Sequence, residues 1–201
     1  GGSSGLVGAY ATLAANVFAA TAAFNALKRA AQIDVLVESL SILGAQSGQN
    51  LGLLATGLRD AAGGAIDLAQ AMQTASVGAS AGFDSTQIEG LAKVAKMAAL
   101  ALGRDVGDAV DRLTRGAAKL EPEILDELGI FVRLDDAAAN YATSIGKTAN
   151  ELTRFEKRQA FANEILEQGQ QKFGALEDLD ASAFDRLGAT LGDLAKDVTT
   201  F

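Results

Sequence analysis

The sequence predicts an all-α protein, and three observations support this fold class. Alanine supplies much of the 49% hydrophobic content, and alanine has the highest helix propensity. Only 5% of the residues are aromatic, whereas strands favour aromatic and β-branched residues. Apolar residues also recur at spacings of three and four, which places them on one face of a helix. We expect Ala-rich helices with heptad seams, forming an elongated rod or bundle with a compact helical cluster in residues 84–176.

Charge divides the chain near residue 83. Only seven charged residues lie in residues 1–83, and the other 35 lie beyond them. We predict a charge-poor, Ala/Gly-rich helical segment in residues 1–83, the helical cluster in residues 84–176, and an amphipathic, coiled-coil-like helix in residues 177–201. Because the chain begins with Gly1 and its helical pattern is unfinished at Phe201, we expect it to be part of a longer polypeptide.

The charge-free stretch from Gly1 to Leu27 has a heptad-type seam, which is typical of a helix that packs on another helix. The seam consists of Leu6, Tyr10, Leu13, Val17, Ala20, Phe24, Leu27 and Ala31. The stretch is also long enough to span a membrane, so a bundled helix and a membrane-active segment both stay open. A second charge-free stretch, residues 39–58, has glycines that favour a turn near residues 44–49 over a close helix contact.

Two further glycine-containing stretches predict breaks between helices, Gly63-Gly64 and residues 76–82. The second contains Gly78-Ala-Ser80-Ala-Gly82, which has the G-x-S-x-G spacing of a nucleophile elbow. That motif requires a preceding strand and a histidine for the triad, and the chain has no histidine. We therefore interpret Ser80 as part of a flexible connector.

The charged half contains signals for helix starts and ends. Asp84 and Thr153 each have a Gln or Glu three residues later, as in a capping box. In chain order, the other predicted boundaries are a helix end at Gly103, a helix start near Asp105, a short helix from Pro122 to Gly129, an extended stretch from Ile130 to Leu134, and a helix cap at Asp135. The faces that we expect to be buried are Ile88, Leu91, Ala95, Ala98 and Leu102; Val106, Val110, Leu113 and Ala117; and Phe155, Phe161, Ile165 and Leu166.

The clearest seam lies at the end of the chain, where large apolar residues recur at spacings of three and four. These residues are Phe184, Leu187, Leu191, Leu194, Val198 and Phe201. Soluble monomers seldom leave such a stripe exposed to water. We predict that it is buried either against the helix that follows Thr153 or against the same stripe on sister chains.

Composition excludes several classes of function. The chain lacks cysteine and histidine, which removes thiolate metal sites and the commonest general base. No phosphate-binding loop or calcium-binding loop spacing is present. We therefore predict no enzymatic activity, no metal and no cofactor. The net charge of −8 and the pI of about 4.6 argue against specific nucleic-acid binding, which depends on Lys and Arg contacts to phosphates.

One segment resembles a known family. The string Leu102-Gly-Arg-Asp-Val-Gly-Asp-Ala-Val-Asp-Arg-Leu-Thr-Arg-Gly-Ala-Ala-Lys-Leu-Glu-Pro-Glu-Ile-Leu-Asp-Glu-Leu-Gly-Ile-Phe-Val-Arg-Leu134 looks like the tail tape-measure protein of long-tailed, siphovirus-like bacteriophages and prophages. The resemblance includes Gly57 to Ala65, Tyr141 to Thr148 and Leu152 to Gly169, and it covers roughly residues 56–201. Residues 1–55 share only the Ala/Gly-rich helical character.

The resemblance implies a structural role in the virion. A tape-measure protein fills the lumen of the tail tube, sets tail length during assembly, and leaves ahead of the DNA at ejection. Its partners would be the tail tube protein, distal tail or baseplate hub proteins, tail assembly chaperones, and sister copies in a homo-oligomer such as a trimer. The alternative is a membrane-inserting, channel-forming segment for DNA entry, with the host membrane as partner.

Overall fold

The computed structural model describes Val35, Glu38, Ile42 and residues 50–179. From residue 50 to residue 179 it contains seven α-helices and two 3-10 helices, and no residue of this part lies in a strand. The α-helices are α1 (Leu51–Ala61), α2 (Leu68–Ala81), α3 (Ser85–Leu102), α4 (Val106–Lys119), α5 (Glu123–Asp126), α6 (Leu134–Ser144) and α7 (Arg154–Phe173). The 3-10 helices are Ala149–Glu151 and Gly174–Leu176. The all-α prediction is confirmed for this part of the chain.

Helix α3 lies at the centre of the helical cluster. It packs against α1, α4 and α7, while α2 packs against α1 and α4, and α6 packs against α7. Helices α3 and α7 run parallel, because Gln87 near the start of α3 donates a hydrogen bond to Asn163 and Val94 further along faces Gly169. A Cβ atom on Gly169 would overlap the Val94 side chain, so this glycine permits the close approach of the two helices.

The hydrophobic core draws on helices from both sides of residue 83. Leu58 and Ile66 lie before that position, Leu91 and Phe161 lie after it, and all four are fully buried in one cluster. Many of the other buried positions are alanines, which add little area each but let helix backbones come close. The division into residues 1–83, 84–176 and 177–201 stays a prediction, and the core includes α1 and α2.

Most of the predicted boundaries in the charged half are confirmed. Asp84 and Thr153 each form a capping box. The Asp105 carboxylate accepts a hydrogen bond of 2.6 Å from the backbone N–H three residues later. Gly103 ends α3 in the left-handed conformation, with a φ of 64°. These caps satisfy backbone groups that a helix end otherwise leaves without partners.

The predicted short helix is confirmed at its start, but its last helical residue is Asp126, and a turn at residues 127–129 follows it. Pro122 is the N-cap residue of α5 and supplies the fixed φ that suits a helix start. Gly129 has a φ of 70°, and the N–H that follows it, on Ile130, donates to the Leu125 carbonyl oxygen at 3.2 Å. The residues from Ile130 to Arg133 are non-helical, as expected.

The predicted break at residues 76–82 is wrong in extent. Helix α2 continues to Ala81, and only Gly82, with a φ of 89°, ends it. Gly78 lies inside the helix, at a position where a Cβ atom would stand 2.7 Å from the Ile88 side chain. This glycine therefore serves close packing and not chain flexibility, which sequence spacing alone does not distinguish.

Three further expectations need correction. Asp135 does not cap a helix, because α6 begins one residue earlier and Asp135 lies in its first turn. Leu102 and Phe155 are not buried, with exposed fractions of 47% and 51%. Leu102 is the last residue of α3, and Phe155 lies in the first turn of α7, so neighbouring helices cover both incompletely. Leu166 is half-buried, and the other predicted inward positions are buried.

The N-terminal seam from Leu6 to Ala31, the turn near residues 44–49 and the C-terminal stripe lie outside the described residues. These predictions, and with them the elongated rod, stay untested.

Candidate functional site

The predicted packing stripe, Phe184 to Phe201, is not among the described residues, so its burial and its partner remain predictions. One of the two predicted partners, the helix that follows Thr153, is present as α7. The clearest candidate in the described part is residues 102–134, the segment on which the expected resemblance rests. It contains the end of α3, all of α4 and α5, and the connection to α6.

Helix α4 anchors this segment in the core. Its predicted stripe of Val106, Val110, Leu113 and Ala117 is fully buried. The adjacent Gly116 lies against α5, where a Cβ atom would stand 2.8 Å from a methyl group of Leu125. A small residue is therefore required for the close packing of α4 on α5.

The end of α4 adopts a conformation that the sequence did not reveal. Leu120 has a φ of 64° and is the one non-glycine residue with positive φ in the described part of the chain. It packs partly buried against the core. The next N–H, on Glu121, donates to the Gly116 carbonyl oxygen at 3.0 Å, which closes the helix end as a glycine cap would. The left-handed conformation costs a residue with a Cβ atom roughly 1–2 kcal/mol.

A network of charged side chains joins the end of the proline helix to α4 and to the connection between α3 and α4. Arg104 donates to the Glu127 backbone oxygen at 2.7 Å and to its carboxylate at 3.0 Å. Arg112 lies 3.1 Å from the same carboxylate and donates to Asp108 at 2.8 Å. The hydrogen bond to Asp108, helped by the nearby Glu127 charge, raises the pKa of Arg112. Because these side chains are partly exposed, their ion pairs add little to the free energy of unfolding. The network instead orients the end of α5 relative to α4.

The connection between α6 and α7 is held by two consecutive capping boxes, Thr148 with Glu151 and Thr153 with Glu156. Lys147 also donates a hydrogen bond to the Glu156 carboxylate. That bond, followed by those from the Thr153 amide and hydroxyl, lowers the pKa of Glu156 from 4.5 to about 2. Hydrogen bonds from Thr148 likewise lower the pKa of Glu151.

One exposed apolar side chain, Phe131, contacts the end of α7. Phe131 is 58% exposed, and the Lys172 ammonium lies 4.6 Å from its ring centroid. The same ammonium donates to the Gly129 carbonyl oxygen at 2.6 Å. This arrangement secures the extended segment before α6 to the end of α7 through a cation–π contact.

Features of a catalytic or metal site are scarce within residues 50–179. Ser80 lies in α2, where its hydroxyl donates to the Val77 carbonyl oxygen at 2.8 Å. A shallow cleft on α7 is lined by five polar side chains of that single helix, so it lacks the converging groups of a binding site. In this range no group of three or more acidic residues is arranged to hold a metal ion. None of the helices described here is long and apolar enough to cross a membrane.

No protein-family model matches the chain, and no solved structure matches it.

Proposed function

We propose that the chain is a segment of a phage tail tape-measure protein that fills the tail tube lumen and sets tail length during assembly. The observation that carries this proposal is the resemblance of residues 102–134. In the structure these residues include the cap at Asp105, Gly116 packed against α5, and the proline helix α5, which ends at Asp126 and is followed by a turn to Gly129. The resembling string thus corresponds to a defined structural unit.

The surface chemistry is compatible with this role. The chain has a net charge of −8, and an acidic surface offers little attraction to DNA moving through the same tube. Residues 1–49, which precede the helical cluster, would meet the tube wall or sister chains, and the stripe from Phe184 to Phe201 would join sister copies. Release of the protein ahead of the DNA completes the proposed role.

The proposal is tested by lengthening this chain within the intact particle and measuring the length of the tail. Four heptads, about 28 residues, are duplicated in frame at residues 4–31, and tails are measured by electron microscopy. At 1.5 Å per helical residue the tail is expected to lengthen by about 42 Å. A matched control, Arg115→Lys on the surface of α4, leaves tail length unchanged. Normal tails that contain the lengthened chain would refute the proposal.

The second candidate function is a membrane-inserting segment for DNA entry, and the charge-free stretch from Gly1 to Leu27 favours it. The end of the other charge-free stretch has a different environment, because Leu54, Ala55 and Leu58 are buried in the helical cluster. Leakage of dye from lipid vesicles on addition of the full chain would support the membrane function. Intact vesicles together with altered tail lengths in the duplication variant would support the tape-measure role alone.

A further inference from the structure

We propose that residues 133–152, which comprise α6 and the connection to α7, form a strap that opens away from α7 while the remaining helices stay folded. The inference concerns a conformational property of this fold and does not depend on the proposed function. Three features of the strap support it: sparse packing, a helix too short to persist alone, and a solvated polar fastening.

The packing of the strap is sparse. Helix α6 contacts chiefly α7 and the 3-10 helix that follows it. Its only buried residues are two alanines, Ala137 and Ala142. Ala137 belongs to the main hydrophobic core, whereas Ala142, Leu152 and Ala160 lie outside it. Opening the strap would therefore remove little apolar area from the core, and segments with few buried apolar contacts are the ones that open locally.

Helix α6 also has little stability of its own. It contains 11 residues and its N-cap residue, Arg133, makes no side-chain capping hydrogen bond. Isolated helices of this length are marginal in water. One apolar stripe, with spacings of four, three and four, runs along α6 to its C-cap residue and consists of Leu134, Ala138, Tyr141 and Ile145. Leu134 and Ile145 are 37% and 41% exposed, so α7 covers this stripe only in part.

The fastening at the far end of the strap is polar and partly solvated. Lys147, whose side chain is 40% exposed, forms the ion pair with Glu156 at the start of α7. At the near end, Val132 is buried and the neighbouring Phe131 is held beneath Lys172. The strap is thus anchored at both ends, and its middle is held weakly. Opening would expose the apolar stripe of α6 to solvent, whereas in the closed form α7 covers part of it.

Native-state hydrogen exchange of the full chain, read by mass spectrometry, tests the proposal. Amides of residues 137–146 are expected to exchange at least about tenfold faster than those of residues 91–99 in α3, with a weaker dependence on denaturant. Lys147→Met should accelerate exchange in the strap about two- to fivefold, the range expected for loss of an exposed ion pair, without affecting α3.

Lys119→Met is the matched control, because Lys119 forms a surface ion pair on α4 with Glu121. It should leave exchange in the strap unchanged. Equal exchange rates and equal denaturant dependence in α6 and α3 would show that α6 opens only by global unfolding and would overturn the proposal. An equal acceleration of both helices by Lys147→Met would overturn it as well.

Discussion

At the scale of single residues, hydrogen bonds to carboxylates fix where helices begin and what they contact. Glu156 accepts from the Lys147 ammonium and from the amide and hydroxyl of Thr153, and its pKa falls to about 2. The capping box could be predicted from the Thr-x-x-Glu spacing, because both partners lie within one helical turn. The hydrogen bond from Lys147 could not be predicted, because Lys147 lies in the connection before α7 and its position depends on how α6 packs on α7.

The lowered pKa of Glu156 predicts a pH-dependent contribution to stability. Because the pKa is lower in the folded state than the ordinary 4.5, ionised Glu156 stabilises the fold above pH 4.5, and this stabilisation is lost as the pH falls towards 2. Glu156→Gln should lower the urea midpoint at pH 7, and the difference from the unmodified protein should shrink between pH 4.5 and 2. Glu167→Gln, exposed on the same helix, is the control. A difference that is constant with pH would contradict this account.

Gly169 illustrates a residue whose role depends on a distant neighbour. Alanine favours a helix by about 1 kcal/mol over glycine, so propensity alone predicts that Gly169→Ala stabilises α7. The overlap of its Cβ atom with Val94 predicts the opposite, a loss of about 1–3 kcal/mol from overpacking.

Urea unfolding checks the sign, with Gly52→Ala as the matched variant. Gly52 lies in α1, where the nearest atom to a new Cβ is the Asn50 side-chain oxygen at an ordinary contact distance of 3.4 Å. That variant should gain up to about 1 kcal/mol. A gain in stability for Gly169→Ala would contradict the close packing of α3 on α7.

At the scale of helices, capping residues and glycines could be assigned from sequence only where their effect is local. Asp84, Asp105 and Gly103 satisfy backbone groups within one or two turns, and their spacing predicts them. Gly78 is instead a helix residue whose neighbour, Ile88, lies on another helix. The small size of Gly78 permits this tertiary contact. The glycine spacing in the sequence therefore wrongly predicted a helix break at residues 76–82.

A pair of substitutions tests the assignment of caps. Asp84→Ala removes a side chain that accepts the Gln87 backbone N–H at 2.8 Å, and it should cost about 1 kcal/mol. Asp135→Ala should lower the free energy of unfolding by at most a few tenths of a kcal/mol, because Asp135 lies in the first turn and interacts only with the helix dipole. Thermal unfolding of both variants measures the difference. Equal losses would show that Asp135 also acts as a cap.

At the scale of the whole molecule, the all-α class followed from composition and spacing, but the extent of the core did not. The change in charge density at residue 83 describes the surface of the chain. The core is shared by α1 and α2 before this position and by α3, α4 and α7 after it. Leu58 and Ile66, both fully buried, belong to a charge-poor segment whose sequence gives no indication of the partner helix.

The terminal stripe is tested by changing Leu191 and Leu194 together to Asp. If sister chains cover the stripe, the variant should lose self-association in sedimentation. If the stripe packs within its own chain, the variant should unfold residues 150–201, and circular dichroism would show a loss of helicity for the chain as a whole. Six apolar side chains of this size are expected to need cover. Unchanged sedimentation together with unchanged helicity would contradict both forms of the prediction.

A density map of the intact tailed particle tests the proposed function most directly. The tape-measure account predicts rod-like helical density along the lumen of the tail tube, joined to a compact volume that fits helices α1 to α7. It also predicts that this density is absent from particles that have released their DNA. Full particles with an empty lumen, or with the chain located outside the tube, would contradict the account.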